Sequence, residues 1–351
     1  MQLESHEFEL YSRQIKLPEV GIEGQIRLKS SSVLCIGAGG LGAPLLQYLA
    51  AAGIGRIGVI DDDIVEISNL HRQIIYRRDQ AGKMKVDAAK ARIHEINPDV
   101  TVETYPYQFT HLHAGLVKQY DIIADCTDNI MTRYITNACC VQNKKPFVFA
   151  GISRYQGQCM MFTVQNGPCF HCVFPEEMMS EVLPDCNSTG VIGILPGILG
   201  LMQTNLILQF LLNLTNSSFN TFYQFDLLNM SLQSIEVKKN PDCNGCSRQH
   251  GMNLNFISPS EFKSLKGSEK SFTLLDVRSH DEHQEFHIGG ICIPLSELRG
   301  NLSALNDSIP VIAYCQTGKR SAAAALILRD SGFHSSSILG GIVSMKSCGM
   351  I

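Results

Sequence analysis

The sequence predicts an α/β protein: a doubly wound, mostly parallel sheet followed by a second, smaller α/β unit. Three observations predict it. SSVLCIGAGGLGAPLLQYLAAAG (31–53) reads as a strand, a glycine turn and a helix closed by Gly53. Short apolar strands then alternate with helical periodicity to about residue 150. Between 153 and 246 the pattern breaks into short strands, one long apolar helix and cysteine pairs, and the alternation resumes after a polar stretch at 247–258.

The elements follow in order. GRIGVIDDD (55–63) is a second strand running into acids, and KVDAAKARIHEIN (85–97) has helical spacing that stops before Pro98. TVETYPYQF, YDIIADCTDN and PFVFAG read as strands, the second running into a turn. GVIGILPGILGLMQTNLILQFLLNL (190–214) is apolar enough to suggest a membrane span. Pro196, Gln203, Asn205 and Gln209 interrupt it and it has no basic flanks, so a buried or subunit-interface helix is expected, with no membrane. FTLLDVRSH, PVIAYCQTGKRS and SAAAALILRDSG then supply two strands and a helix of the second unit. The expected organisation is a nucleotide-binding domain at 1–246, a linker at 247–258 and a small domain at 259–351.

Composition narrows the function. The net charge of −4 leaves no basic footprint for nucleic acid. MQLESHEFELYSRQI is charged and lacks the apolar core of a signal peptide. Thirteen cysteines, an odd number in a long chain, fit a reducing cytoplasmic setting in which thiols serve metal binding or catalysis.

GAGGLG fits G-x-G-x-x-G at Gly37, Gly39 and Gly42, with Gly40 inside the turn. Asp61, nineteen residues beyond Gly42 at the end of the next strand, can accept from ribose hydroxyls. Alone this says only nucleotide, and an NAD-dependent dehydrogenase would fit. The next loops change the ligand. DDD adds Asp63, SNLHRQ adds Ser68, Asn69 and Arg72, GKMK adds Lys83 and Lys85, and CTDN adds Asp128 and Asn129. A dehydrogenase holds pyrophosphate mainly with backbone amides. A triphosphate attacked at its α-phosphate needs cations for its charge and a carboxylate for Mg²⁺.

YSRQI, GAGGLG, DDDIVEISNLHRQ, GKMK and DCTDN, in that order over roughly residues 5–246, resemble the ubiquitin-activating-enzyme-like adenylyltransferases of the MoeB/ThiF type. The resemblance implies a Rossmann-like fold, ATP·Mg²⁺ as cofactor, and adenylation of the C-terminal glycine of a small ubiquitin-like sulfur-carrier protein ending Gly-Gly. It implies that Gly40, Asp61, Asn69, Arg72 and Lys85 contact ATP, with Gly37, Gly39, Gly42, Asp63, Ser68 and Asn129 in the same site. Asp128 would handle Mg²⁺, and Arg13 would reach across a homodimer into the neighbouring site.

CFHC (Cys169, Cys172) and CNGC (Cys243, Cys246) are two C-x₂-C pairs, the donor set of a closed tetrahedral Zn²⁺ site, with a redox motif as the alternative. The family resemblance implies a structural zinc here. Cys186, in the polar stretch LPDCNSTG, reads either as a small buried hydrophobe or as a reactive thiol. The resemblance implies that it attacks, or shuttles sulfur to, the adenylated carrier.

LLDVRSHDEHQEFHIGGICIPLSEL (274–298) and YCQTGKRS (314–321) resemble a rhodanese-like domain covering about 255–345. Backbone N–H groups in a turn at a helix N-terminus form an anion nest, which favours a thiolate or bound persulfide at Cys315. Lys319 and Arg320 are expected to add positive potential. Cys315 and Arg320 enclose four residues where a phosphatase loop has five, a tighter cradle suited to sulfur. Rhodaneses continue with a tryptophan-bearing segment where this chain reads LGGIVSMKSCGMI, so a shortened final element is expected.

Together these readings predict an enzyme that adenylates a sulfur carrier and passes it sulfur from a Cys315 persulfide, charged by a cysteine desulfurase or thiosulfate. Activation for protein conjugation through a Cys186 thioester, a dehydrogenase and a non-catalytic scaffold are the alternatives.

Overall fold

The computed structural model describes residues 2–175, 190–214, 219–247, 255–268 and 271–351. The chain divides into two units, Met1–Gly251 and Met252–Ile351.

The first unit is built on an eight-stranded sheet of order β3-β2-β1-β4-β5-β6-β7-β8. Its strands are β1 (Ser32–Ile36), β2 (Arg56–Ile60), β3 (Thr101–Tyr105), β4 (Ile122–Asp125), β5 (Phe147–Ser153), β6 (Gln156–Phe162), β7 (Thr221–Asp226) and β8 (Ser231–Glu236). Pairing is parallel from β3 to β5 and antiparallel from β5 to β8. All five residues of β1 are buried, as expected of a central strand covered on both faces. Neighbouring β1 and β4 are joined across the reversal of strand order, and ligands of such sheets bind at the carboxyl ends of the strands there.

The apolar segment forms the helix Ile194–Leu211, the one described helix long and apolar enough to cross a membrane by length and composition. Half of that span is buried within the unit, against the Gly42–Ala51 helix, β5 and β6. Its polar Gln203 is fully buried and donates to the backbone oxygens of Asp125 (2.8 Å) and Val148 (3.3 Å). An amide inside an apolar helix is tolerated because it is hydrogen-bonded to backbone carbonyls of β4 and β5.

The second unit has five parallel strands in the order β11-β10-β12-β13-β9: β9 (Asn255–Ile257), β10 (Thr273–Asp276), β11 (Ile291–Cys292), β12 (Val311–Tyr314) and β13 (Ser335–Ile338). The polar stretch 247–258 therefore is not linker throughout. Residues 255–257 pair with Ser336–Ile338 as an edge strand, and a strand of three residues is too short to show an alternating pattern. The last helix, Gly341–Ser347, is seven residues long.

Candidate active sites and metal centre

The first site assembles where three strand ends meet. After β1 the chain turns through Gly37 into the N-terminus of the Gly42–Ala51 helix, the end of a helix that favours anions. Gly42 cannot carry a side chain, because a Cβ there would lie 2.3 Å from the Gly37 carbonyl oxygen. Asp61, after β2, accepts from the Ala38 N–H at 2.7 Å and the Asp63 N–H at 2.9 Å. Burial pushes the Asp61 carboxyl up, and Lys85 and these amides oppose that. Lys85 is buried and donates to Asp63 at 2.8 Å, with Asp61 at 4.0 Å. Before any ligand binds, its charge is held between two carboxylates.

The SNLHRQ loop lies against the glycine turn. Arg72 donates to the Asn69 side chain at 2.6 Å, while Ser68 and Asn69 donate to Glu66. The site of a Cβ on Gly40 is 3.6 Å from Arg72 Cγ, and one on Gly39 would be 3.7 Å from Gln73 Nε2. Gln73 is buried with an unpartnered Oε1, and Tyr76 donates to the Ala38 carbonyl at 2.7 Å. Neither residue was singled out by the sequence reading, since their value lies in contacts with a turn some 35 residues away. After β4, Asp128 is exposed and Asn129 caps the Ile130–Asn143 helix through the Met131 N–H at 3.0 Å. Lys83 is exposed. Arg13 is exposed on the short Ser12–Ile15 helix and makes no hydrogen bond or ion pair among the described residues. Cys186 lies outside the described residues.

The four cysteines converge. Cys169 lies 3.9 Å from Cys172 and 3.7 Å from Cys243, and Cys172 lies 3.4 Å from Cys246. A tetrahedron of sulfurs at about 2.3 Å from a metal has edges of about 3.8 Å, so the spacing fits a Zn²⁺-sized ion. The hydrogen bond from Cys169 pulls the Cys172 thiol down to about 4 while Cys169 itself is raised. Sulfurs this close compete for a proton, and a cation would remove the conflict. Phe170 anchors the first pair: its N–H donates to Asn137 at 2.8 Å, and its ring meets Tyr134, Phe149, Phe162 and Phe174.

In the second unit the Cys315 sulfur is buried at the carboxyl end of β12. It accepts from the Gly318 N–H at 3.1 Å and the Ser321 N–H at 3.4 Å, with the Ser321 hydroxyl at 3.6 Å. Ser337 donates to Ser321 at 2.8 Å, fixing that hydroxyl from below. The Gly341–Ser347 helix grips the loop, with Ile342 N–H on the Cys315 carbonyl and Val343 N–H on that of Gln316, both at 3.0 Å. Gly341 is required there, because a Cβ would lie 2.2 Å from the Cys315 oxygen.

Arg320 corrects one expectation. Its guanidinium makes a bidentate pair with Glu282, at 2.6 and 2.7 Å, so its charge is shared with that carboxylate and only part of it acts on the Cys315 sulfur. Arg320 holds Glu282 down at about 2. Because that lies below the unfolded carboxylate value near 4.3, the pair's contribution is present above about pH 4.3 and lost as pH falls toward 2. Lys319 opens the helix Lys319–Asp330. Arg320→Ala is therefore expected to slow thiosulfate-to-cyanide sulfur transfer by less than about tenfold, since the backbone cradle survives. A loss of about a hundredfold would show that the guanidinium acts on the sulfur directly.

Beneath the loop, Asp276 is fully buried, with Arg278 at 2.6 Å and His283 at 2.9 Å. Burial would raise the Asp276 carboxyl, but its bonds to Arg278 and His283 outweigh that and hold it low. The network fixes the turn after β10.

Residues 11–245 match the ThiF family and residues 258–348 match the rhodanese-like domain. The chain belongs to the ThiF family. This ThiF-family chain is 35% identical over 365 residues to the adenylyltransferase and sulfurtransferase MOCS3 of Sus scrofa, covering 91% of this chain and 80% of that protein. It is 40% identical over 252 residues to the sulfur carrier protein adenylyltransferase of Thermus thermophilus, covering 70% and 93%. Its fold is similar to that of E. coli MccB, crystallised with MccA-N7isoASN, at a TM-score of 0.60 and 21% identity over 69% of this chain and 75% of that one. The ThiF-family chain with its rhodanese-like unit is an enzyme, an adenylyltransferase and sulfurtransferase.

Proposed function

We propose that the first unit binds ATP·Mg²⁺ at the glycine turn and adenylates the C-terminal glycine of a small ubiquitin-like sulfur-carrier protein, and that the second passes sulfur to the activated carboxylate from a Cys315 persulfide, leaving a thiocarboxylate. Convergence of the Gly37–Gly42 turn, Asp61, Arg72, Lys85 and the Asp128 loop on the β1/β4 crevice carries the first half. The carrier carboxylate attacks the α-phosphorus, the bond to pyrophosphate breaks, and AMP becomes a good leaving group on the acyl carbon. The helix N-terminus and Arg72 receive phosphate charge, and Lys85 can exchange its Asp63 partner for a phosphate. Asp61 is placed to accept from ribose. Asp128, exposed on its loop, would hold Mg²⁺, whose charge supports the leaving pyrophosphate.

The cysteine cluster would hold Zn²⁺ as a closed structural centre, since four sulfurs complete the shell. A second copy of the chain would supply Arg13 to the site, consistent with the exposure of that residue and with exposed apolar side chains such as Ile194 and Leu201 on the Ile194–Leu211 helix. The setting we propose is cytoplasmic.

Asp128→Ala tests the nucleotide site. Carrier-dependent ATP–pyrophosphate exchange is expected to fall at least about a hundredfold, the loss of an anchor for metal-compensated charge. Thiosulfate-to-cyanide transfer by the second unit should be unchanged. Exchange at the normal rate would remove Asp128 from the metal site.

A further inference from the structure

A second thiol of the rhodanese-like unit sits in a setting that its sulfur chemistry at Cys315 does not explain. Cys292 ends β11 and is half-buried. Its Sγ lies 3.6 Å from His280 Nδ1, and Nε2 of the same ring lies 3.7 Å from Glu297 Oε2. Thiol, imidazole and carboxylate thus follow one another as nucleophile, base and orienting group. Three separate elements deliver them: β11, the first residue of the His280–Glu285 helix, and the turn Leu295–Gly300. With the proton on Nε2, the nitrogen nearer the carboxylate, the Nδ1 lone pair faces the thiol.

Strand register places this group on the working edge of the sheet. Cys292 is opposite Asp276, and Asp276 is opposite Tyr314, the residue before Cys315. Two strand spacings, roughly 10 Å, therefore separate the Cys292 and Tyr314 backbones. Cys315 is buried, whereas His280 and Glu297 are more than half exposed, so the Cys292 group is open to small molecules. Burial, with the Asp276 carboxylate adding to it, pushes the Cys292 thiol up, so it stays protonated near neutrality and needs a base to react.

We infer that Cys292, with His280 as base and Glu297 as orienting group, takes sulfane sulfur from a low-molecular-weight persulfide. The proposal extends the sulfur-transfer reading of this unit. His280 removes the thiol proton, and the Cys292 sulfur attacks the outer sulfur of R–S–SH. The S–S bond of the donor breaks and RS⁻ leaves, recovering the proton from His280. The products are a Cys292 persulfide and R–SH, with no net oxidation. The exposed Glu297 carboxylate beside the thiol disfavours a dianion, so thiosulfate is a poor substrate here.

The test uses the full chain carrying Cys315→Ala, treated with the persulfide of glutathione and mapped by mass spectrometry of its peptides. Sulfur should appear on Cys292 at least about tenfold faster than on the exposed Cys348 of the same molecule, in line with general-base assistance. Adding His280→Gln should erase that lead while leaving Cys348 labelling and the far-ultraviolet circular dichroism unchanged. Thiosulfate should leave Cys292 unlabelled. Cys292 reacting no faster than Cys348, or a lead that survives His280→Gln, would overturn the proposal. Thiosulfate labelling of Cys315 in the unsubstituted chain reports on the sulfur-transfer reading separately.

Discussion

Cys243→Ser is expected to lower the thermal midpoint of the first unit by roughly 8–16 °C and to promote aggregation on heating. The figure follows from a loss of about 4 kcal/mol, at about 2–4 °C per kcal/mol for a unit of this size. It is conservative, because structural zinc in small fingers supplies about 10–16 kcal/mol of folding free energy. The two arms of the centre are not equally supported without metal. The Cys169–Cys172 arm is seated in an aromatic cluster around Phe170. The arm that follows β8 includes local bonds, Cys243 N–H to the Asn240 carbonyl at 3.2 Å and Asp242 N–H to the Asn240 side chain at 3.0 Å, but no such aromatic cluster among the described residues. Serine at 243 removes the sulfur that meets Cys169 and leaves three donors for the ion. Differential scanning calorimetry with metal analysis checks this, with Cys348→Ser as the exposed control. An unchanged midpoint together with no bound zinc in the unsubstituted protein would show that the sulfurs are not a metal centre.

What the sequence revealed and what it concealed divide along physical lines. The turn after β1 was legible because a strand, a glycine run and a helix carry periodicities that a single chain displays locally. The cysteine pairs were legible because two ligands three residues apart can bind one ion. Gln203 looked like an interruption of an apolar helix, and only tertiary structure shows its bonds to the backbone of β4 and β5. Arg320 read as added positive potential, and its pairing stayed hidden because Glu282 is 38 residues earlier. Nor could a short polar segment announce that residues 255–257 complete a sheet, since its partner is β13 near the other end of the unit. Spacing signals survive in sequence; pairings set by long-range packing do not.

Cys315→Ala is expected to reduce thiocarboxylate formation on the carrier to background while leaving ATP–pyrophosphate exchange at its normal rate. The separation follows from the two compact units: the nucleotide-site residues belong to one and the Cys315 loop to the other. Within that loop the sulfur is the only atom that can carry sulfane sulfur, while the Gly318 and Ser321 N–H groups stabilise the negative charge it bears. Alanine deletes the carrier atom and keeps the cradle. Ser321→Ala does the reverse, removing a hydroxyl 3.6 Å from the sulfur while both amides remain. One lost hydrogen bond to a charged group is worth about 1.5–3 kcal/mol at most, so transfer should slow by roughly ten- to a hundredfold rather than stop. Mass spectrometry of the carrier after incubation with ATP and thiosulfate reads both variants as the exchange of one oxygen for sulfur. Thiocarboxylate formed at the unsubstituted rate by Cys315→Ala would show that the second unit is not the sulfur source. A full loss in Ser321→Ala would instead mean that the side-chain hydroxyl, and not the backbone turn, holds the persulfide.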